Sequence, residues 1–291
     1  MSGHGSLAQD FDNGFKAYEN GDFATAMKEW RPLAEQGDAS AQYNLALMSR
    51  LGEGVPQDDA QAAKWFRKAA EQGKAAAQYN LGQMYEDGEG VPQDDAQAVE
   101  WYRKAAEQGE AAAQYNLGGM YRHGTGVPQD DAQAVEWYRK AAEQGYAGAQ
   151  YNLGGMYANG IGVPQDYAQA VEWYRKAAEQ GEAAAQTNLG VMYDNGTGVP
   201  QDYAQAVEWY RKAAEQGHAG AQYNLGGMYE DGEGVIQDNV YAHMWWNIAS
   251  SLGDENASKN RDIIAKEMTA ADISKAQELA RECIRKNYKG C

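Results

Sequence analysis

Residues 110–145 read EAAAQYNLGGMYRHGTGVPQDDAQAVEWYRKAAEQG, and the chain on either side of this stretch repeats it almost word for word. Trp65, Trp101, Trp137, Trp173, Trp209 and Trp245 stand 36 positions apart, as do Gly73, Gly109, Gly145, Gly181, Gly217 and Gly253. A fixed period of about 20–50 residues belongs to an array of stacked units, each of which buries its apolar surface on its neighbours. Six near-copies run over 38–73, 74–109, 110–145, 146–181, 182–217 and 218–253.

Two helix patterns alternate within a unit. Ala77, Leu81, Met84 and Tyr85 follow i, i+4, i+7, i+8 and the pattern stops at Gly88; this is helix A. Ala98, Trp101, Tyr102, Ala105 and Ala106 give a wider apolar stripe that ends at Gly109; this is helix B. The glycines and proline of Gly88 to Asp94 break both helices, and Asp94 with Gln97 has the spacing of a capping box. The same spacing opens helix B at Asp58, Asp130, Asp166 and Asp202, whereas at Asp238 the partner position holds Tyr241. Helices of about 13 residues are only ~20 Å long and marginal alone, so packing of these stripes must hold them. The small residues Ala77, Gly82, Ala105 and Ala106 let backbones approach, and Trp101 with Tyr102 is expected to fill the space between hairpins.

The ends depart from the repeat, as capping units must. Met1 to Ser6 (MSGHGS) is read as an expression-vector remnant. Over 7–37, Phe15, Tyr18, Gly21, Phe23, Ala26 and Trp30 predict a looser capping hairpin, with Pro32 near the end of its second helix. Over 254–291 two more helices are expected, from Asp254 to Lys266 and from Ala270 to Lys286, the latter opened by Thr269 with Asp272.

Composition excludes several classes of partner. A formal charge of -17 repels phosphate backbones and anionic lipid, which argues against nucleic acid, and no apolar run reaches the ~20 residues of a membrane span. Only two cysteines exist, Cys283 and Cys291. Helical spacing would hold them ~12 Å apart, beyond disulfide reach, so a bridge requires Asn287 to Gly290 to leave the helix and fold back; two free thiols remain the alternative. With that bridge the chain is expected to be periplasmic or secreted, and otherwise cytoplasmic.

The motif A-x-x-x-L-G-x-x-Y-x-x-G-x-G-V-x-x-D, followed by A-x-x-W-[YF]-x-x-A-A-x-x-G, strongly resembles the SEL-one-like repeat, a relative of the tetratricopeptide repeat with a longer loop, and it covers 38–253. Met268 to Asp272 and the closing helix are similar to the cap of bacterial members. The resemblance implies an all-α, right-handed solenoid with A helices on the concave side and B helices on the convex side. It further implies a scaffold or adaptor, of the kind used in protein quality control, cell-envelope assembly and signalling, or bacterium–host contact. A cysteine-rich bacterial subgroup credited with weak beta-lactam binding or hydrolysis is less similar, because these repeats carry no cysteine pair.

Individuality is expected where the copies differ. Helix B is monotonous outside: Glu100 with Lys104, Glu136 with Lys140, Glu172 with Lys176 and Glu208 with Lys212 are i,i+4 pairs on a solvated face. Helix A carries, opposite its apolar stripe, Tyr79-Asn80, Tyr115-Asn116, Tyr151-Asn152, Thr187-Asn188 and Tyr223-Asn224. Such a ladder could hydrogen-bond an extended peptide while the tyrosines supply flat contact area, or each Asn could brace helix A against a neighbour. The next outward column reads Leu47, Gln83, Gly119, Gly155, Val191 and Gly227, and its three glycines either admit a close helix or keep space open. His4, His123, His218 and His243 fall at unrelated positions, so no metal site, and no cofactor, is expected; no nucleophile elbow, phosphate loop or dinucleotide loop is present. The sequence reading is therefore a non-catalytic, monomeric scaffold that binds a protein or peptide on its A-helix face. Two alternatives stand beside it: a small-molecule or glycan binder with weak beta-lactamase-like activity, and a structural spacer.

Overall fold

In a computed structural model the chain is described over residues 3–291, with side chains from residue 10 onward. Met1 and Ser2 of the expected vector remnant lie outside the described residues, and the first helix begins at Gly3. The described residues form sixteen helices and no strand. They group into two compact units that divide between Gln144 and Gly145.

The first unit holds four hairpins: α1 (Gly3–Glu19) with α2 (Phe23–Glu35), α3 (Ala39–Leu51) with α4 (Asp59–Glu71), α5 (Ala75–Asp87) with α6 (Asp95–Glu107), and α7 (Ala111–His123) with α8 (Asp131–Glu143). The second holds α9 (Ala147–Asn159) with α10 (Tyr167–Glu179), α11 (Ala183–Asn195) with α12 (Tyr203–Ala214), and α13 (Ala219–Asp231) with α14 (Asn239–Ser251). It closes with α15 (Glu255–Ile264) and α16 (Ala270–Arg285).

Each A helix stops at a glycine in the left-handed region, such as Gly88 at φ 71°, whose N–H donates to the Met84 carbonyl. Only glycine reaches that conformation without strain. Helix B then opens on an aspartate whose carboxylate accepts the N–H three residues on, as Asp94 does from Gln97 at 3.0 Å. The reciprocal half of the box is not what closes the turn. The Asp94 N–H donates instead to the Tyr85 carbonyl of helix A at 2.9 Å, and Asp58, Asp130, Asp166, Asp202 and Asp238 repeat that bond. Asp238 also keeps its cap without a glutamine, accepting from Val240 and Tyr241.

The alanines, leucines and methionines of the stripes are buried, and the tryptophan column packs with them: Trp101 is 9% exposed and Trp245 1%. Close approach has a visible partner. A Cβ on Gly82 or Gly118 would lie 2.7 or 2.8 Å from the ring of Tyr102 or Tyr138, so the helix B tyrosine lies directly on the helix A backbone. In the first hairpin Trp30 takes that role, 1% exposed, with its indole N–H donating to the Phe11 carbonyl at 3.1 Å. Tyr18 there donates to Glu53 at 2.7 Å, and that bond, with burial second, pushes its hydroxyl up to about 12.

The lysines of helix B depart from the sequence reading. Lys104, Lys140, Lys176 and Lys212 lie 3.9–4.0 Å from the ring centroids of Trp101, Trp137, Trp173 and Trp209. Of the four expected i,i+4 pairs, Glu208–Lys212 closes, at 2.8 Å. At the surface an aromatic face one turn away is worth about as much to an ammonium as an exposed carboxylate, and Lys212 takes both at once.

Candidate functional site

The A helices carry the candidate site, and their outward residues divide into those held by neighbours and those left open. Tyr79, Tyr115 and Tyr151 are half-buried, with ring centroids 5.9, 5.8 and 5.9 Å from Tyr102, Tyr138 and Tyr174 of the paired B helix. Each pair is tilted, so the A-helix ring shows solvent one face or edge while its partner forms the floor. Tyr223 accepts from Asn260 at 3.3 Å, which ties it to α15.

The asparagines are drawn into bonds between hairpins. The side-chain amides of Asn116, Asn188 and Asn224 face the hydroxyls of Tyr102, Tyr174 and Tyr210 on the preceding B helix and partly offset the rise that burial imposes on them. Asn80 donates to the Ala76 carbonyl at 2.8 Å and accepts from Arg50 at 3.4 Å. Asn152 is half-buried on α9. At two places the chain extends to a carboxylate: Tyr102 donates to Glu86 at 2.5 Å and Tyr210 to Asp194 at 3.1 Å. Burial first, and these carboxylates next, raise both hydroxyls well above the usual phenol range, so both stay protonated donors. Burial likewise raises Asp194, helped by the charges of Glu233 and Asp231.

A second polar column, unremarked in the sequence reading, holds the hairpins together from within. Gln78 is buried, its amide donating to the Ala70 carbonyl at 3.0 Å and its carbonyl accepting from Gln108 at 2.7 Å. Gln42, Gln114, Gln150 and Gln186 receive the same bond from Gln72, Gln144, Gln180 and Gln216. The available signal was the pair of fixed glutamines 30 positions apart, which no solvent-exposed role would require.

The glycine column is open. A Cβ on Gly119 or Gly155 would find only a tyrosine hydroxyl, 3.6 or 3.5 Å away, and one on Gly227 would find nothing within 4 Å. Along the edge, Arg50 pairs with Glu89 at 2.9 Å and Arg122 with Asp131 at 2.8 Å. Cys283 and Cys291 at the far end come together, their Cα atoms 5.6 Å apart and their sulfurs within bonding distance. Asn287 and Tyr288, both at positive φ, turn the tail back as the sequence required. Among the described residues no group of histidine, cysteine and carboxylate side chains is placed to hold a metal, and no helix is long and apolar enough to cross a membrane.

Helix-turn-helix units of one length, each closed by the same loop and docked through the same faces, define an α-solenoid. The chain belongs to the Sel1 repeat family, whose repeat matches at 39–74, 75–110, 111–146, 147–182, 183–218 and 219–254. Among solved structures, a Sel1 repeat protein from Oxalobacter formigenes is 34% identical, with a TM-score of 0.71 over 82% of this chain and 96% of its own. A protective antigen of uropathogenic Escherichia coli strains, displaying the same repeat fold, is 32% identical with a TM-score of 0.55, covering 98% of this chain and 85% of its own. No curated protein matches the chain. Sel1 repeat proteins are generally protein-interaction scaffolds.

Proposed function

We propose that the chain is a non-catalytic scaffold that binds a protein or peptide on the face lined by its A helices. The observation that carries this reading is the open space at three of the six positions of that column, Gly119, Gly155 and Gly227, where the other repeats carry Leu47, Gln83 and Val191. Glycine inside a helix costs about 1 kcal/mol relative to alanine, and at Gly119, Gly155 and Gly227 no neighbouring backbone or ring requires it. Space kept at that expense, flanked by half-buried tyrosine rings, fits a surface that receives another chain. The asparagines contribute less directly, because they also brace the stack. Spare amide capacity at Asn80, Asn116, Asn152, Asn188 and Asn224 remains for a ligand backbone.

A photo-crosslinking residue placed at Gly119 or Gly227 should capture a partner from the native compartment, while the same residue at Glu136 on the helix B surface should not. Gly227→Leu should block capture without lowering the thermal midpoint. Equal capture from both faces would remove the reading. The Cys283–Cys291 pair, read as a disulfide, supports a periplasmic or secreted location, as does the likeness to a protein described as a protective antigen.

A further inference from the structure

A recurrent clip joins consecutive hairpins on the helix B side, and it is absent where the first hairpin meets the second. Arg67 donates to the Tyr85 hydroxyl, Arg103 to Tyr121 at 2.9 Å, Arg175 to Tyr193 at 2.9 Å and Arg211 to Tyr229 at 3.1 Å. Tyr85 is 9% exposed and belongs to the same buried cluster as Trp101, so its ring fills the step between hairpins. One repeat earlier the position is Ser49. The two are equivalent in space as well as in sequence, because the Ser49 carbonyl accepts from Asp58 at 2.9 Å as that of Tyr85 does from Asp94. The Ser49 hydroxyl turns inward and donates to the Leu45 carbonyl of its own helix at 2.8 Å.

A groove of about 540 Å³ stands at this step, bounded by Met27, Arg31, Ser49, Val55 and Trp65, with the carboxylates of Glu35 and Asp58 also in its wall. Arg31, the counterpart of Arg67, is exposed. Trp65 is the least covered of its column, half-buried where Trp101, Trp137, Trp173 and Trp209 are buried. On its other side a second groove of about 490 Å³ runs past Lys64 and Lys68. Position 64 is itself a departure, since Glu100, Glu136, Glu172 and Glu208 occupy it in the following repeats. The first groove itself carries Glu35 and Asp58 beside Arg31, whereas the second gathers Lys64, Arg67 and Lys68 against Glu71, with the Lys68 ammonium 4.2 Å from the Trp65 ring centroid; the positive side of Trp65 is the Lys64 side. Charges elsewhere on the surface are screened beyond about 8 Å at physiological salt, so the local sign decides what approaches.

We propose that the slot beside Trp65 receives a tyrosine side chain of a partner protein, presented within an acidic segment. The next repeat supplies the template: there the chain's own tyrosine fills the slot and accepts from the arginine. Arg31 offers the same donor to a phenol, Trp65 the apolar floor, and Lys64 a counter-charge for a flanking carboxylate. This site lies between helices, walled by Met27 and Arg31 of α2, Ser49 of α3 and Trp65 of α4, and does not include the Gly119, Gly155 and Gly227 column.

The test uses fluorescence anisotropy of the full chain with a fluorescein-labelled peptide in which one tyrosine is flanked by glutamates, against the same peptide with alanine for tyrosine. The tyrosine peptide should bind at least tenfold more tightly and lose affinity as salt rises. Ser49→Tyr should fill the slot from within, raise the thermal midpoint and abolish binding. Lys64→Glu, an exposed change that restores the helix B pattern and leaves the fold intact, should weaken binding at least tenfold even if Ser49→Tyr fails to fold. Equal affinity for the two peptides, or binding untouched by Lys64→Glu, overturns the proposal. So does loss of binding through Gly119→Leu while Ser49→Tyr still binds.

Discussion

The Gln108 side-chain amide donates to the Gln78 side-chain carbonyl at 2.7 Å, joining the last turn of α6 to the first turns of α5 across 30 positions of sequence. The bond recurs along the array and fails at its end. Gln222 is fully buried and donates to the Ala214 carbonyl at 3.1 Å, yet its own carbonyl oxygen has no partner, because position 252 holds leucine. A buried acceptor without a donor costs about 1–3 kcal/mol. Leu252→Gln is therefore expected to stabilise the second unit by about 1 kcal/mol, read as a rise of roughly 2–4 °C in the calorimetric midpoint. Leu252 is 44% exposed, so the change forfeits little apolar burial. A lower midpoint would mean that the glutamine does not reach.

Two glycine columns on helix A, one position apart, should respond to alanine with opposite signs. Gly118→Ala drives a Cβ to 2.8 Å from the Tyr138 ring, and overpacking of that kind costs about 1–3 kcal/mol. Gly227→Ala meets nothing within 4 Å and should gain about 1 kcal/mol from helix propensity alone. Chemical denaturation of the two variants checks the pair. A destabilised Gly227→Ala would show that the open column has a structural duty after all.

These contrasts also mark how far the sequence could be read. The tryptophan and terminal glycine columns are legible because burial and positive φ each admit few residue types, so the period survives in every copy. The buried glutamines are not, since a glutamine in the first turns of an amphipathic helix has the composition of surface until its partner 30 residues on is placed beside it. Spacing places the helix B lysines equally well on a glutamate four positions back or on a tryptophan three back, and Lys212 reaches both. Their actual position over tryptophan, as for Lys104 on Trp101 at 4.0 Å, follows from ring orientation, which spacing does not encode. The open slot at Ser49 was hidden for a similar reason: its meaning depends on Tyr85 filling the same place one repeat later.

His243 should make stability fall with acidity. It takes the place of valine in the helix B pattern and is 3% exposed. Burial first, and the Arg261 charge second, hold its imidazole below the ordinary range, while Asp262 opposes them weakly; these two are the charged groups that face it from α15. A histidine whose folded pKa is lowered stabilises the fold fully above its unfolded pKa of about 6.5, and that stability is lost as pH falls through and below this value. The limiting slope is about 1.4 kcal/mol per pH unit for one proton. His218, also lowered by burial, adds to the same trend. Urea unfolding of His243→Val between pH 7.5 and about 5 should therefore show a shallower, not a flat, dependence. An unchanged slope would assign the trend to His218.

The tail that carries Cys291 is held to the second unit at more than one point, and this sets the size of the effect expected on cutting the bridge. The Tyr288 N–H donates to the Cys283 carbonyl at 2.9 Å, its ring lies against Gly217, and the Gly290 N–H donates to Glu215 at 3.3 Å. The cross-link closes a short loop, with a sequence separation of 8, so the chain-entropy contribution is about 2–3 kcal/mol. Cys291→Ser should lower stability by up to that amount and leave the repeats folded, because α16 is anchored through Ala276, Ala280 and Cys283 rather than through the tail. Alkylation of the native protein without reductant should label neither thiol, and with reductant both. Labelling of both thiols before reduction, in protein taken from an oxidising compartment, would show that the pair remains reduced and would withdraw its support for a periplasmic or secreted location.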